Sequence, residues 1–377
     1  MTGVRRRVVR AIGRQILRLL PGPLEAWGWA IRHEIDAIDD DSEALGFALD
    51  ALRGAVAQSI AYHLTGGSTD MKMLDGLLRR PRLIGIVCAL GAAGLGLAYL
   101  AMAAAPTRYL AVNGAALVIG LVVLGLIGRG TGAARLPGGV TLALGSVLLA
   151  TALLGDAQGG ASRWLMLGPL FVQPSLIILP LMVVGFAQAR PALATAGMMI
   201  AALALALQPD RAMAAMLVAG LATLAVFKAD RHAIVALATA AVGFAVTIAR
   251  PDTLPAAAHV DRILYSAFDV HPLAGLAVLG GSALLLVPAI AAIGNAEDRA
   301  IHAVFGMVWL AAIAAAALGN YPTPLVGYGG SAVIGYVLSL AMLPRAVRAG
   351  SGTRAPDTET APAPSPSNQP SGLCSAA

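Results

Sequence analysis

The sequence predicts an all-α integral membrane protein, built as a bundle of ten transmembrane helices that follows a small soluble helical hairpin. Apolar residues make up 58% of the 377 residues and charged residues only 12%, whereas soluble globular chains carry about 25% charged residues. Much of the charge lies in residues 1–82 and 344–377. Long apolar stretches with almost no charge fill the region between them, as is typical of membrane-spanning helices.

The charge distribution divides the chain into three predicted regions. Residues 1–82 form a cytoplasmic helical region, residues 83–343 the ten-helix membrane domain, and residues 344–377 a cytoplasmic tail. The tail is rich in Pro, Ser and Thr, so we expect it to be disordered.

The first region begins with a predicted basic amphipathic helix over residues 4–20. It contains six arginines, and Val8, Ile12, Ile16 and Leu19 recur at helical spacing. The arginines interrupt the apolar run that a cleavable signal peptide needs. Such a helix can lie on anionic lipid headgroups, or it can be an ordinary solvated helix. After a Pro-Gly-Pro break, residues 24–64 predict the hairpin.

Ten apolar spans are predicted in the membrane domain. They are residues 83–104, 109–128, 137–154, 172–188, 192–207, 212–227, 232–249, 272–293, 300–319 and 325–343. Alternate loops differ in their number of Lys and Arg residues, and the loops richer in them should face the cytoplasm. The poorer set holds Arg108, Arg163, Arg211, Arg250 and Arg262. Both termini are then cytoplasmic, which requires an even number of spans.

Composition also excludes several classes of function. The net charge of +6 does not indicate nucleic-acid binding, because the basic residues lie in loops beside apolar spans. Two cysteines do not make a disulfide framework, and the histidines fit no metal spacing. We therefore predict no metal ligands and no cofactor, and a divalent cation stays an open alternative for which no ligand set is identified. The spans hold essentially no Asp, Glu, Lys or Arg, which counts against an ion-coupled transporter.

Unusual polar segments fall in the four loops predicted to open on the non-cytoplasmic face. They are Gly160-Ala161-Ser162-Arg163-Trp164, Gln173-Pro174-Ser175, Gln208-Pro209-Asp210, Arg250-Pro251-Asp252, His259-Val260-Asp261 and Tyr328-Gly329-Gly330-Ser331. Helices interrupted by Pro and Gly at membrane depth are tolerated where the freed backbone lines a cavity. The sequence therefore predicts a polar, partly unwound pocket on the outer side.

These segments resemble motifs of the SEDS family (shape, elongation, division and sporulation). The stretch from Gly160 to Ser175 is similar to the family's GASRW…LG…QPSE, and Gln208-Pro209-Asp210 to the start of its QPDLGTA. The stretch from Leu254 to Asp261 is similar to LPEAHTDFIF, and Pro324 to Ser331 to PFVSYGGSS. The resemblance covers about residues 83–343. It implies a ten-helix membrane bundle in the bacterial inner membrane that polymerises lipid II into glycan strands, beside a class B penicillin-binding protein and other division or elongation proteins.

The sequence departs from the family pattern at several positions. Leu176 and Leu179 stand where the family's QPSE…K has Glu and Lys, and Arg211 replaces the Leu of QPDL. The loop between the seventh and eighth spans, which holds a catalytic Asp in the family, has only about 20 residues here. Asp252 is its nearest candidate.

Glycan polymerisation needs a base for the acceptor hydroxyl and cations for the departing pyrophosphate. The candidate site has Asp252 as the base. Its candidate substrate-binding residues are Arg163, Trp164, Gln173, Ser175, Asp210, Arg250, His259, Asp261, Tyr328 and Ser331. Structural roles stay open for several of them: a solvated pair for Asp252 and Arg250, an interfacial anchor for Arg163, and helix caps for Asp210 and Asp261.

Three functions remain open at this stage. The first is a SEDS-type lipid II polymerase in cell division or cell shape. The second is a catalytically inactive SEDS-like scaffold that binds lipid-linked precursor or division partners, and the lost polar residues favour it. The third is an uncoupled lipid flippase, which the absence of charges in the spans does not exclude.

Overall fold

The computed structural model describes residues 2–64, 80–127, 135–158, 161–168, 170–250, 254–290 and 296–344. The described residues form a helical bundle near the N-terminus and a larger helical membrane domain. Gly160 and Asp252 lie outside the described residues, as does the tail from residue 345 onward. The limits of the three predicted regions therefore stay predictions.

The N-terminal bundle contains three helices: α1 (Thr2–Leu19), α2 (Glu25–Ala37) and α3 (Asp41–Leu64). The hairpin predicted for residues 24–64 corresponds to α2 and α3, and α1 packs against both. The face that α1 buries differs from the predicted one, because Val9, Ile16 and Leu20 enter the core. Val8 is 45% exposed and Leu19 38% exposed, so the expected apolar stripe is wrong at these two positions.

The described residues of the membrane domain form ten apolar helical segments, as predicted. They are α4 (Pro81–Met102), α5 (Thr107–Ile127), α6 (Gly138–Leu154), α7 (Pro174–Gln188), α8 (Ala192–Leu207), α9 (Arg211–Phe227), α10 (Arg231–Ala249), α12 with α13 (Pro272–Leu284 and Val287–Ile290), α14 (Ala296–Leu318) and α15 (Gly330–Ser339). A short helix, α11 (Ile263–Val270), precedes α12. Five segments are long and apolar enough to cross a membrane and five are shorter. The prediction of an all-α integral membrane protein is confirmed.

A small antiparallel sheet lies between α6 and α7, where the sequence predicts only a loop. Its strands are β1 (Asp156–Gln158), β2 (Ala161–Leu167) and β3 (Leu170–Val172), in the order β1-β2-β3. Leu165 of β2 pairs with Val172 of β3. Strand β2 places Arg163 beside the residues that precede α9, where its guanidinium donates to the carbonyl of Gln208.

Helix α7 is the central helix of the membrane domain. It is buried along most of its length and packs against α6, α8, α9, α14 and α15.

Two buried aromatic residues pack together between α14 and α15. The ring centroid of Tyr336 lies 5.0 Å from that of Trp309. The Tyr336 hydroxyl donates to the carbonyl oxygen of Leu285 (3.1 Å), and the Trp309 indole donates to Ser339 (3.2 Å). The polar atoms of the buried aromatic residues are therefore satisfied within the protein, as an apolar environment requires.

Small residues permit the closest backbone approaches. Gly145 of α6 and Gly197 of α8 face each other, so that a side chain on either would meet the partner helix backbone. Gly96 of α4 lies against the loop before α15, where a Cβ atom would stand 2.7 Å from the Cα of Val326. Close contact between small residues is the usual means of helix association in membranes.

We expect Gly96→Ala to destabilise the membrane domain by about 1–3 kcal/mol, because the added methyl group meets backbone that cannot move aside. Gly94→Ala is the matched control on the same helix, since a Cβ there has no atom within 4 Å. Gly94→Ala should leave the free energy of unfolding unchanged or raise it slightly. Unfolding of both variants in detergent, titrated with SDS, measures the difference; equal stabilities would contradict the proposed contact.

Candidate functional site

A buried carboxylate, that of Asp210, holds together the N-terminal ends of three helices. Asp210 is the N-cap of α9, where its Oδ1 accepts from the backbone N–H of Met213 (3.2 Å). Its Oδ2 accepts from the Gln173 amide (3.0 Å) and from the Ser175 hydroxyl (3.2 Å). Gln173 is the N-cap of α7, and its backbone N–H donates to the hydroxyl of Ser331 at the start of α15 (3.0 Å).

The charge of Asp210 is well matched to this position. The side chain is only 1% exposed, and a buried carboxylate is tolerated when it is hydrogen-bonded. The N-termini of α7, α9 and α15 meet here, and helix N-termini carry partial positive charge that stabilises an anion. The structure therefore brings Gln173, Ser175, Asp210 and Ser331 together in one polar cluster.

Arg163 and Trp164 of strand β2 lie next to this cluster. The Arg163 guanidinium is buried and donates to the backbone carbonyls of Gln208 (3.3 Å) and Pro209, immediately before Asp210. Its carbon Cζ lies 6.0 Å from the centroid of the Trp164 ring. Arg163 thus ties the sheet to the start of α9.

His259 and Tyr328 form a second group, in the loops that precede α11 and α15. The Tyr328 ring stacks on Tyr109 with centroids 3.7 Å apart, and the His259 ring meets Tyr109 edge-on at 6.2 Å. The backbone N–H of Tyr328 donates to the carbonyl of His259 (2.7 Å). Burial raises the pKa of the Tyr328 hydroxyl; Tyr109 adds to this effect and Arg108 opposes it.

The remaining candidate residues are separate from the polar cluster. Arg250 donates to the carbonyls of Ala206 (3.0 Å) and Leu207 (3.1 Å) at the end of α8. Asp261 accepts from the backbone N–H of Ala257 (2.8 Å). Asp252, the predicted base, lies outside the described residues, while Arg250 and Leu254, its neighbours two residues away in the chain, are described.

A cavity of about 400 Å³ opens between α9, α10 and α14, beside the polar cluster. Its walls combine apolar side chains with two guanidinium groups, an amide and a tyrosine; the lining residues are Arg211, Ala212, Ala215, Phe244, Leu254, Arg262, Ala315, Leu318, Gly319, Asn320 and Tyr321. Arg211 and Arg262 lie in loops predicted to face outward, and neither is among the predicted site residues. The loops predicted to face outward hold five basic residues in total. This scarcity is the sequence signal that could identify the two arginines as candidates.

Backbone carbonyl oxygens position Arg211, and the amide oxygen of Asn320 positions Arg262. Nη2 of Arg211 lies 3.4 Å from the carbonyl oxygen of Thr247 and 3.3 Å from that of Arg250, at the end of α10. Its buried Nε has no hydrogen-bond partner among the described residues. Nε of Arg262 donates to the amide oxygen of Asn320 (2.7 Å), whose nitrogen donates to the Leu254 carbonyl (3.1 Å).

This arrangement is suited to an anion with an apolar body. Guanidinium groups remain charged at any physiological pH and match the geometry of phosphate oxygens. The lining residues include no carboxylate among those the structure describes. The described residues also contain no group of three or more His, Cys, Asp or Glu that could hold a metal ion.

We expect Asp210→Ala to lower the free energy of unfolding by about 3 kcal/mol, because it leaves the buried donors of Gln173, Ser175 and Met213 without their acceptor. Asp230→Ala is the matched control at the N-cap of α10, a more exposed position paired with Arg190 at 2.6 Å. Loss of that cap should cost about 1 kcal/mol. Asp210→Asn keeps an acceptor and should lie between. SDS-titrated unfolding measures all three; similar losses for Asp210→Ala and Asp230→Ala would contradict the role of the buried cluster.

The pH dependence of the control site follows from its contacts. Burial acts to raise the pKa of Asp230, but hydrogen bonds from the Ala233 backbone and from Arg190 lower it overall. A depressed pKa in the folded state stabilises the fold above the ordinary pKa of Asp, and that contribution disappears as the pH falls through the lowered value. The contribution of Asp230 should therefore be constant near neutral pH and decline only in acid, as SDS-titrated unfolding of the chain and of Asp230→Ala at several pH values would show.

No protein-family model and no curated protein sequence matches the chain. Among solved structures, it is similar to the rod shape determining protein RodA of Thermus thermophilus, with a TM-score of 0.50 and 24% identity over 69% of this chain and 94% of that chain. An aspartate-to-alanine mutant of the same protein gives a TM-score of 0.48 and 23% identity, over 69% and 95% of the two chains. The match to RodA, together with the ten segments between Pro81 and Met342, shows that this chain has the fold of the SEDS family.

Proposed function

We propose that this chain is a SEDS-type protein of peptidoglycan synthesis. In this proposal it binds the pyrophosphate of lipid II, or of a similar polyprenyl-linked precursor, in the outer cavity and polymerises the sugars into glycan strands. The observation that carries the proposal is the pair of guanidinium groups, Arg211 and Arg262, in a largely apolar cavity of about 400 Å³. A role in cell shape is supported by the fold it shares with a rod shape determining protein.

The chemistry of a polyprenyl pyrophosphate fits the cavity. The polymerisation step breaks a sugar–phosphate bond, so negative charge accumulates on the departing pyrophosphate. Fixed cations stabilise that charge most effectively where water is scarce. Phe244, Leu318 and the alanines of α9 and α14 supply apolar surface for the first isoprene units. Because Arg211 has a buried Nε with no partner among the described residues, a phosphate oxygen would satisfy it.

The base for the acceptor hydroxyl is proposed to be Asp252. A carboxylate can take this proton when it lies within hydrogen-bond reach of it. Asp252 is two residues from Arg250, whose carbonyl contacts Arg211, and two residues from Leu254, which lines the cavity. Its assignment rests on this proximity in the chain.

The proposed cellular setting follows the topology predicted from the sequence. The chain would reside in the inner membrane of a bacterium with both termini in the cytoplasm, so that the cavity opens on the outer side. Its partners would be a class B penicillin-binding protein, which cross-links the strands, and other elongation or division proteins.

A second candidate function is a catalytically inactive scaffold that binds the lipid-linked precursor or division partners. It is favoured by a specific observation: the described lining of the cavity offers cations for binding but no carboxylate for proton transfer. The replacement of the family's Glu and Lys by Leu176 and Leu179 points the same way.

Binding is tested with Arg211→Gln and Arg262→Gln in the purified full-length chain, using fluorescent lipid II. Each loss of a charge-assisted contact should weaken binding roughly tenfold or more, since such contacts contribute about 1.5–3 kcal/mol. Arg231→Gln is the control, because this exposed arginine lies at the start of α10, away from the cavity lining. Unchanged affinity in both cavity variants would refute the cavity as the precursor site.

Catalysis is tested with Asp252→Asn in the chain purified with its transpeptidase partner. If Asp252 is the base, glycan strand formation should fall at least about a hundredfold while lipid II binding stays within about twofold of native. Tight binding without strand formation in the native chain, under every partner and metal condition, would establish the scaffold instead. Movement of labelled lipid across proteoliposomes would favour the flippase.

A further inference from the structure

A second cationic feature lies at the N-terminal bundle, far from the residues considered so far. A groove of about 430 Å³ separates α1 from α2, and its polar lining consists of Arg6, Arg10, Arg14, Arg32 and Asp36. Three of the arginines repeat every four residues along α1, so they project from one side of that helix. We refer to this feature as the basic groove.

The positive charge of the basic groove is only partly compensated. Arg6 donates to the carbonyls of Ile38 (2.7 Å) and Asp36 (3.2 Å) and lies 3.7 Å from the carboxylate of Asp41. Arg10, Arg14 and Arg32, by contrast, form no ion pair with any residue that the structure describes. Like charges at this helical spacing repel one another, so an anion bound between them would relieve the repulsion.

An exposed tryptophan stands at the edge of the basic groove. The guanidinium carbon of Arg32 lies 5.3 Å from the centroid of the Trp29 ring. Trp29 is 45% exposed, although large aromatic side chains are usually buried in a soluble bundle. An aromatic ring beside a row of arginines is typical of surfaces that rest at the headgroup level of a membrane.

The bundle lies beside one end of the membrane domain. Asp50 of α3 lies 3.4 Å from Arg299, at the start of α14. Arg299 belongs to the loops that are richer in Lys and Arg, which are predicted to face the cytoplasm. The cytoplasmic leaflet of a membrane carries anionic lipids that attract basic segments close to its surface.

We propose that the basic groove and Trp29 dock on the anionic phospholipid headgroups of one leaflet. It is the leaflet at the end of the membrane domain that contains Arg299, beside the N-terminal bundle. Lipid phosphates lie between Arg10, Arg14 and Arg32, and the Trp29 ring lies at the headgroup level. The docking holds the bundle against the membrane surface. The docking does not depend on the function proposed for the outer cavity. It assigns lipid headgroups as the contact of the basic face of α1.

The test uses the full-length chain in lipid nanodiscs and the quenching of tryptophan fluorescence by lipids brominated in their acyl chains. All discs hold the same fraction of brominated phosphatidylcholine; the rest is either phosphatidylcholine or phosphatidylglycerol. The contribution of Trp29 is the difference between the chain and its Trp29→Phe variant. Quenching of Trp29 should be at least about twofold greater in the phosphatidylglycerol discs, and it should decrease with added salt.

Three double variants test whether the basic groove causes the greater quenching of Trp29 in phosphatidylglycerol discs. Arg10→Gln/Arg14→Gln should return the quenching to the value found with phosphatidylcholine alone. Arg53→Gln/Arg231→Gln removes the same charge from exposed arginines outside the groove and should leave it unchanged. Arg10→Lys/Arg14→Lys keeps the charge and should retain the effect, which separates lost docking from a misfolded bundle.

Three results would overturn the proposal. The first is Trp29 quenching that is equal in the two kinds of disc. The second is an Arg10→Gln/Arg14→Gln chain that behaves like native. The third is release of Trp29 by inorganic phosphate but not by chloride at equal ionic strength, because it would identify the groove as a site for a small free phosphate compound rather than for a lipid surface.

Discussion

The end of the bundle at which α7, α9 and α15 begin depends on one constraint: the carboxylate of Asp210 is buried, and every oxygen it carries must be hydrogen-bonded. A charge removed from water is costly unless its partners are in place. Here the partners are supplied by Gln173, Ser175 and the backbone of Met213. Because the backbone N–H of Gln173 also donates to Ser331, satisfying one carboxylate fixes the N-terminal ends of α7, α9 and α15 together.

The same constraint positions the cavity. Asp210 and Arg211 are consecutive residues at the start of α9, and they lie on different sides of it. The first is buried in the polar cluster, and the second lines the cavity. A catalytic or binding site needs side chains held by a rigid supporting layer. The motif residues supply that layer, and the proposed ligand contacts come from arginines beside it.

Much of the fold could be predicted from the sequence, because ten apolar stretches separated by charged or Pro- and Gly-containing loops are compatible with few architectures besides a helical membrane bundle. The last span was predicted from residue 325, whereas α15 begins at Gly330. Residues 325–329 are apolar or small, so hydropathy does not distinguish them from helix. The chain turns there, with Leu325 at a φ of +61°. The sheet was missed because its strands are short and lie inside a segment identified by its motif.

The candidate site was predicted less completely, for a different reason. The motifs indicate which loops carry candidate residues, but spacing along the chain does not show which side chains face each other. Arg163 is predicted to bind substrate, and in the structure its guanidinium donates to the carbonyls of Gln208 and Pro209. The sequence identifies Arg211 as a departure from a motif and as a basic residue in a loop with few others. Its position in a cavity depends on how α9 and α10 pack, and that contact is between residues more than 30 positions apart.

The geometry of α14 relates the two cationic features to the membrane. Arg299 near its start contacts the N-terminal bundle, and Leu318 at its end lines the arginine-lined cavity. The helix has 23 residues, which at about 1.5 Å per residue gives roughly 35 Å, enough to cross the roughly 30 Å of a bilayer's hydrocarbon core. The basic groove and the arginine-lined cavity are therefore associated with opposite ends of a helix of membrane-spanning length. If the bundle is held on one leaflet by its arginines, the cavity lies at the end of the membrane domain that faces the other leaflet, where the proposed function requires the polyprenyl-linked precursor to bind.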